Sequence, residues 1–550
     1  MAWRILESSS HAHVPGTVLL NNTLDWPPES LAHLKRITHR GKIIILVPQP
    51  SDDPNDPLNW PLWVKDSVTL LYAYCTILII GGIGPLLSSL TLDLANLFQV
   101  SYTKVSLLTG YSLCATGASG IFISAVSHKY GGRIPLLFSM ACALAGTVWG
   151  GFANTYDSLL GARILQGLSC SMFESVIFSI LGDMYFVHER GIRVAVRSTC
   201  LAGISNLPPV LAGKVAMELG WRWSFWLLGI FLGVGFLLTV FFGWETSFNR
   251  NAIYNTDLAS QDNLESLDAK ETAAHIEATE EQQLGAEKTV SPTVPRKSPL
   301  QLMNPYSSTY TSKSLLRLLL DPLLILVNPA VVWAVLLMSF PTLWMVAINL
   351  LVAQLFSAPP YLLDTAQLGY MSAGPAVGGL LGSIMAGFAS DPIIQWASRK
   401  NHGIYEPEFR LILIVPAVIT SAIAYFLFGN LIEQGKSPVG MTSIWGVASF
   451  SLQFVIMVVG AYGVGAYREI SVEIFMATMI FKNFLFFGFS SYFLNTWIVS
   501  WGPAKMFNFV AGVQIALCFL TIPAWVYGKR LRGWWHNVYN FGGHGNPTLD

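Results

Sequence analysis

Apolar runs of about 20 residues, enough for a helix to cross the roughly 30 Å hydrocarbon layer of a bilayer, recur along the chain with short polar breaks between them. About twelve can be marked by that criterion. They begin near Val64, Tyr102, Ile134, Asp157, Arg193 and Trp223, and again near Asn328, Ala366, Arg410, Met441, Ile470 and Pro503. A single long polar interruption follows the sixth run. Residues 247–325 mix acids and bases and are poor in aromatics, a composition that cannot bury a core. The pattern predicts an all-α polytopic membrane protein: a tail over 1–62, a six-helix bundle over 63–246, a largely disordered linker over 247–325, a second six-helix bundle over 326–528 and a tail over 529–550.

Composition agrees and adds an orientation. The 550 residues are 53% hydrophobic and 12% charged, whereas globular domains carry about 25% charge. Net charge is zero and the basic residues are scattered, so nothing argues for nucleic acid. Lys and Arg gather in alternate loops, at Lys129 and Arg133, at Arg190, Arg193 and Arg197, at Arg399 and Lys400, and at Lys529, Arg530 and Arg532. By the positive-inside rule these loops, both tails and the linker are expected in the cytosol, with Lys214, Arg222 and Lys436 as outside exceptions. The start of the chain lacks the basic and apolar regions of a cleaved signal peptide, so the first span is expected to direct insertion. The six cysteines lie singly in apolar runs, without the spacing of a disulfide framework or a zinc site, and read as small packing residues.

The fourth run is the unusual one. Between Gly161 and Phe186 it carries Arg163, Glu174 and Asp183. A charge at the bilayer centre costs at least about 2.5 kcal/mol even on insertion scales, so such residues face an interior or a water path. At 100° per residue, Arg163 and Glu174 fall within about 20° of each other, roughly 16 Å apart along the helix. Both are expected to face one cavity, with Gln166, Gly167 and Cys170 near the same stripe. Asp183 falls on the opposite face, near the cytosolic mouth, where a contact with Arg190 or Arg193 would latch the gate. Lys482, followed by Asn483, is a second mid-membrane charge that either pairs with Glu174 across the halves or binds an anionic group. Burial would raise the carboxyl's proton affinity, so Glu174 could bind a proton and a cationic solute alternately. Each of Arg163, Glu174 and Lys482 could equally be a structural hydrogen-bonding group. Asn349, Gln354, Tyr72, Tyr74, Tyr462 and Trp344 are further cavity candidates.

Other chemistries leave little trace. His188-Glu189 is followed by Ile192 rather than completing H-E-x-x-H, no metal set is expected, and no P-loop is present. No cofactor is implied. The sequon Asn21-Asn22-Thr23 lies in the tail placed in the cytosol, where glycosylation does not occur.

The halves echo each other faintly: "LLTGYSLCATGASGIF" and "AQLGYMSAGPAVGGLLGS" each hold a Gly-Tyr pair, Gly110-Tyr111 and Gly369-Tyr370, ahead of small residues. Such internal symmetry around a midplane site belongs to secondary transporters. "DPNDPLNW" before the first span, "ARILQG" ending at Gly167, "GWRWSFW", "ASRKNHGIYEPEFRL" and "FKNFLFFGFSSYFLNTW" together resemble the major facilitator superfamily, and within it the fungal drug:proton antiporter-like and polyamine-transporter-like group. The resemblance implies the superfamily fold of twelve helices in two pseudo-symmetric halves, with Arg163 and Gln166 in an R-x-x-Q-G motif. The chain also departs from the pattern. In "SAVSHKYGGR", Ser124, His128 and Gly132 stand where Gly, Asp and a basic residue are usual, while Lys129, Gly131 and Arg133 keep it; in the second half "GFASD" retains Gly387 and Asp391. Gly203, Pro208 and Gly213 copy the antiporter pattern of the fifth span in part, and Gly465 replaces an acid that relatives often carry.

These readings converge on a membrane transporter, expected as a monomer in the plasma membrane, that exchanges a small organic solute with protons, exporting a drug-like compound or metabolite. Arg163, Gln166, Glu174, Lys482, Asn483 and Asn349 form the expected substrate or proton pathway, and Lys129, Arg133, Asp183, Arg190 and Asp391 the cytosolic gate. Proton-coupled uptake of an organic cation such as a polyamine, and a non-transporting membrane sensor, are the alternatives.

Overall fold

The computed structural model describes residues 53–186, 204–248, 298–401, 404–467 and 470–541 apart from Ser312. It also describes 5–6, 14, 17–19, 36–39, 42–45, 50–51, 189, 193 and 199–200. Ten stretches among them are long and apolar enough to cross a membrane: Leu62–Phe98, Tyr102–Tyr130, Arg133–Phe152, Trp221–Phe242, Pro329–Phe356, Thr365–Lys400, Pro407–Glu433, Pro438–Ala466, Ser471–Phe489 and Pro503–Trp535. Their starts lie within about three residues of those read from the apolar pattern, a margin ordinary for helix ends. The two remaining spans are the fourth, helical from Tyr156 to Met184 with a π-helical segment at Met172–Val176, and the fifth, whose described part includes Pro208–Leu219.

Local chemistry places the breaks. The side chain of Ser101 accepts the Lys104 amide at the start of the second span. Asn328 accepts from Ala330 with Pro329 at the first helical position of the seventh, and Asp364 and Gln367 close a capping box on the eighth. Each satisfies an orphan N–H that lipid would leave unpaired. Pro85 ends the π-helical Ile77–Ile83 within the first span, because its ring offers no N–H and crowds the turn before it.

The three large apolar clusters among the described residues lie between helices, and a small fourth seats Ile5 against Ala397 and Phe409. One gathers the first six spans with Met476, Met479 and Ile480 of the eleventh; two others lie within the second half. The exposed Phe122, Phe152, Phe388 and Val499 suit a surface solvated by acyl chains.

The ends of the chain depart from the expected boundaries. The last helix continues as Thr521–Phe541, so Lys529, Arg530 and Arg532 sit within it rather than in a tail beginning at 529. The Arg532 guanidinium is buried and meets Glu406 at 2.9 Å and Glu408 at 2.8 Å, while Lys529 Nζ lies 2.8 Å from Glu406. Burial alone would lift the Glu406 carboxyl, but Arg532, Lys529 and the Thr17 hydroxyl hold it below the usual carboxylate range. The amino-terminal segment reaches the same place: Thr17 Oγ1 donates to Glu406 at 2.7 Å, and Val18–Leu19 pairs antiparallel with Ile404–Tyr405. The linker is not unstructured throughout, since Leu315–Leu324 is helical with Leu318 buried; residues 249–297 lie outside the described ones. Arg532→Met would strand the buried Glu408 carboxylate and leave Glu406 only Lys529 and Thr17, and removing one partner of a buried pair costs about 3–5 kcal/mol. A fall of that size in the stability of the detergent-solubilised protein is expected by thermal or denaturant unfolding; an unchanged transition would remove the cluster from the fold's supports.

Candidate transport site at the interface of the halves

The spans of the first half meet through small polar groups. At Gly167 the second span comes so close that an added Cβ would stand 2.1 Å from the Ser112 carbonyl oxygen. Only glycine permits that approach. Around it, Thr116 Oγ1 donates to the Gly167 carbonyl at 2.9 Å and Ser119 and Ser171 share a hydrogen bond of 3.0 Å.

Arg163 and Glu174 take different surroundings. Arg163 is fully buried inside the first half: one guanidinium nitrogen donates to the Ile83 carbonyl at 2.7 Å and to Gln166 Oε1 at 2.9 Å, while Nε and the other terminal nitrogen have no hydrogen-bond partner among the described residues. Gln166 in turn donates to Thr147 at 2.8 Å. Glu174 belongs to the contact between halves. Its Oε2 lies 3.2 Å from Lys482 Nζ and accepts from Asn483 Nδ2 at 3.2 Å. The side chains of Glu174 and Lys482 are 15% and 14% exposed, so the pair is largely withdrawn from solvent. The expectation that Arg163 and Glu174 share one cavity face is therefore corrected. A uniform 100° per residue fails where the helix takes π winding at Met172, two residues before the carboxylate. Asn349 does not join this group: its side chain turns back to the Met345 carbonyl at 3.0 Å on its own helix.

The gate residues divide as well. Arg133 amide and guanidinium groups bind within the first half and its linker exit, donating to Glu245 at 3.1 Å, Val240 at 2.8 Å, Met303 at 3.1 Å and the Gly243 carbonyl. It thus fixes the third span to the end of the sixth rather than reaching the second half. Lys129 holds Tyr310 through its backbone carbonyl at 2.9 Å. Arg193 closes on Asp66 at 3.0 Å, instead of on Asp183. Asp183 lines a cavity described below. Asp391 is exposed and forms no ion pair among the described residues, and Arg190 lies outside them.

Opposite the linker, the halves are in contact. Thr365 donates to Asp93 at 3.0 Å, Tyr102 and Ser357 hydroxyls stand 3.2 Å apart, and Asn495 donates to Ser106 at 2.9 Å. At Gly213 and Gly369 the fifth and eighth spans touch backbone to backbone: an added Cβ would meet Thr365 O at 2.7 Å or Pro209 O at 2.8 Å. Asp66, Glu245 and Glu473 do not stand out in spans taken singly, because the groups they face come from other elements. The signal available was an acid within four residues of a helix end.

Two six-helix halves bridged at mid-membrane by an ion pair, and closed against each other at one end, define a polytopic membrane transporter of the secondary type. The chain belongs to the Major Facilitator Superfamily, whose sequence profile matches residues 71–468. It is similar to an uncharacterised MFS-type transporter of Schizosaccharomyces pombe, at 25% identity over 96% of this chain and 94% of that one. Protein HOL1 of Saccharomyces cerevisiae is 23% identical over 96% of each chain. Among solved structures, the proton:xylose symporter XylE superposes with a TM-score of 0.55 at 15% identity, covering 86% of this chain and 100% of that one, a likeness of fold.

Proposed function

We propose that the protein exchanges a small organic solute for protons by alternating access, exporting a drug-like compound or metabolite, with Glu174 as the group for which proton and solute compete. The observation that carries this reading is the Glu174 pair with Lys482 and Asn483 across the halves. While ionised, the carboxylate ties the fourth span to the eleventh. A proton on Glu174 discharges the pair, releases Lys482 and removes a midplane restraint on rocking. An organic cation that displaces Lys482 acts on the same restraint. Because one carboxylate cannot hold both, the two ligands exclude each other and exchange follows. Arg163 and Gln166 would set the geometry of the fourth span against the first and third, whereas Asn349 would serve the solute cavity only after leaving the Met345 carbonyl. We further place the linker side in the cytosol and the monomeric protein in the plasma membrane, consistent with the loop charges.

The test is flux in proteoliposomes holding the full chain, screened with an untargeted metabolite extract under an imposed pH gradient. Movement of at least one solute that reverses with the gradient is expected. Solute movement indifferent to the gradient would overturn proton coupling, and no movement of any solute would favour a sensor. The sign of accumulation decides between export and uptake.

A further inference from the structure

A cavity of about 140 Å³ opens on the linker side of the interface, room for several water molecules. The second span contributes Ser124, Ser127 and His128 to its wall, the linker exit contributes Tyr310, and the eleventh span contributes Val472. Along the fourth span it runs from Val176 to Asp183, about 10 Å of helix. Its inner end is thus two residues from Glu174 and its outer end is at the mouth of the span.

A second regularity lies on the same path. Asp183 is nine residues from Glu174 on the fourth span, and Glu473 is nine residues from Lys482 on the eleventh, so each helix carries an acid about 13 Å nearer the linker than its midplane charge. Glu473 Oε2 is buried and without a hydrogen-bond partner among the described residues. Among the described residues, His128 of the second span, Asp321 of the linker helix and Lys313 just before that helix are charged or titratable groups whose fields act on it. His128 itself lines the cavity that Asp183 lines, and Val472, the residue before Glu473, lines it from the eleventh span. Ser124 and His128 are also two of the positions at which the loop departs from the superfamily pattern, and nothing in the solute-binding reading uses them.

We propose that this cavity is the linker-side proton port of the transporter, with His128 and Glu473 as its exchange groups. The inference rests on the proton-coupled reading of Glu174. A proton leaving the Glu174 carboxyl passes along water in the cavity, hydrogen-bonded by Ser124 and Ser127, to a ring nitrogen of His128. The imidazolium so formed is balanced by the Glu473 carboxylate, and the proton then leaves to bulk water. No electron moves and no other co-reactant is needed. The serine hydroxyls orient water, whereas His128 and Glu473 set the rate of exchange.

An infrared pH-jump experiment on the full chain in proteoliposomes tests this without a known solute. The probe is the carboxyl C=O band that Glu174→Gln removes, followed after an imposed pH step on the linker side. His128→Ala is expected to slow its response on the order of 100-fold, as loss of a positioned proton-transfer group does, with recovery on adding imidazole; Glu473→Gln is expected to slow it without such recovery. An unchanged rate in both variants overturns the port and leaves the proton-coupled reading standing. A slowed rate in His128→Ala that imidazole does not restore makes His128 a structural residue and also overturns it. Absence of any pH-responsive band that Glu174→Gln abolishes overturns the coupling role of Glu174 and the port with it.

Discussion

Glu174→Gln is expected to abolish proton-driven solute flux, by on the order of 100-fold or more, while the protein stays folded. The amide can still accept from Asn483 Nδ2, now at 3.2 Å from the carboxylate, but it cannot take up a proton or hold the Lys482 charge. A structural role and a coupling role make different predictions for the pair. Replacing one partner leaves an ammonium or a carboxylate largely withdrawn from solvent and unpaired, which is destabilising in either case; replacing both by neutral groups of similar shape is often neutral or stabilising. If the pair only joins the halves, Glu174→Gln with Lys482→Met together would recover both stability and transport. If it couples, the double variant would recover stability and remain without gradient-driven flux. Unfolding and flux on the three variants measure the two quantities separately, and normal pH-dependent flux in the double variant would remove Glu174 from the mechanism.

The second large effect concerns the end of the molecule opposite the linker. Gly213→Val and Gly369→Val each place a Cβ under 3 Å from a backbone carbonyl of the facing span, Thr365 or Pro209. Backbone cannot rotate away as a side chain can, so the fifth and eighth spans must separate. Overpacking of this kind costs about 1–3 kcal/mol, and a bias of that size shifts a two-state ratio about 5- to 150-fold. The substitution acts on the conformation in which this end is closed and is relieved in the one where it opens. A cysteine placed at Ser357, 3.2 Å from the Tyr102 hydroxyl across the interface, should therefore react faster with a membrane-impermeant maleimide in either variant. Gly440→Val, where nothing lies within 4 Å, is the control and should leave the rate unchanged. Equal labelling of all three in folded protein would mean that the glycine contact does not govern closure.

Particular residues show how far the pattern carried. Span starts at Tyr102 and Pro503 were legible to the residue because a polar or glycine break precedes a long apolar run, and burial of backbone polar groups in lipid leaves a helix as the available answer. Arg163 is buried because the Ile83 carbonyl and Gln166 meet it, and Glu174 is interfacial because Lys482 of the eleventh span meets it, while π winding at Met172–Val176 shifts the face between them; none of these leaves a mark in a residue-by-residue reading. The loop position of Arg133 points to a gate group. Its engagement with Glu245 and the Val240 carbonyl needed the third and sixth spans to lie side by side. Arg532, which the end of the last apolar run places in a tail, is buried because Glu406 and Glu408, over 120 residues earlier, come to meet it.

Hydrophobic length and loop charge, read from the sequence alone, determined that this chain is a helical membrane protein in two halves around a polar linker, because the cost of exposing charge or unpaired backbone to lipid acts on each segment by itself. The partners of the charges were decided only by the tertiary structure. Whether Glu174 meets Arg163 or Lys482, and whether Gly213 faces lipid or Gly369, depends on the relative rotation of helices hundreds of residues apart, and that rotation is fixed by packing between spans rather than by any one of them.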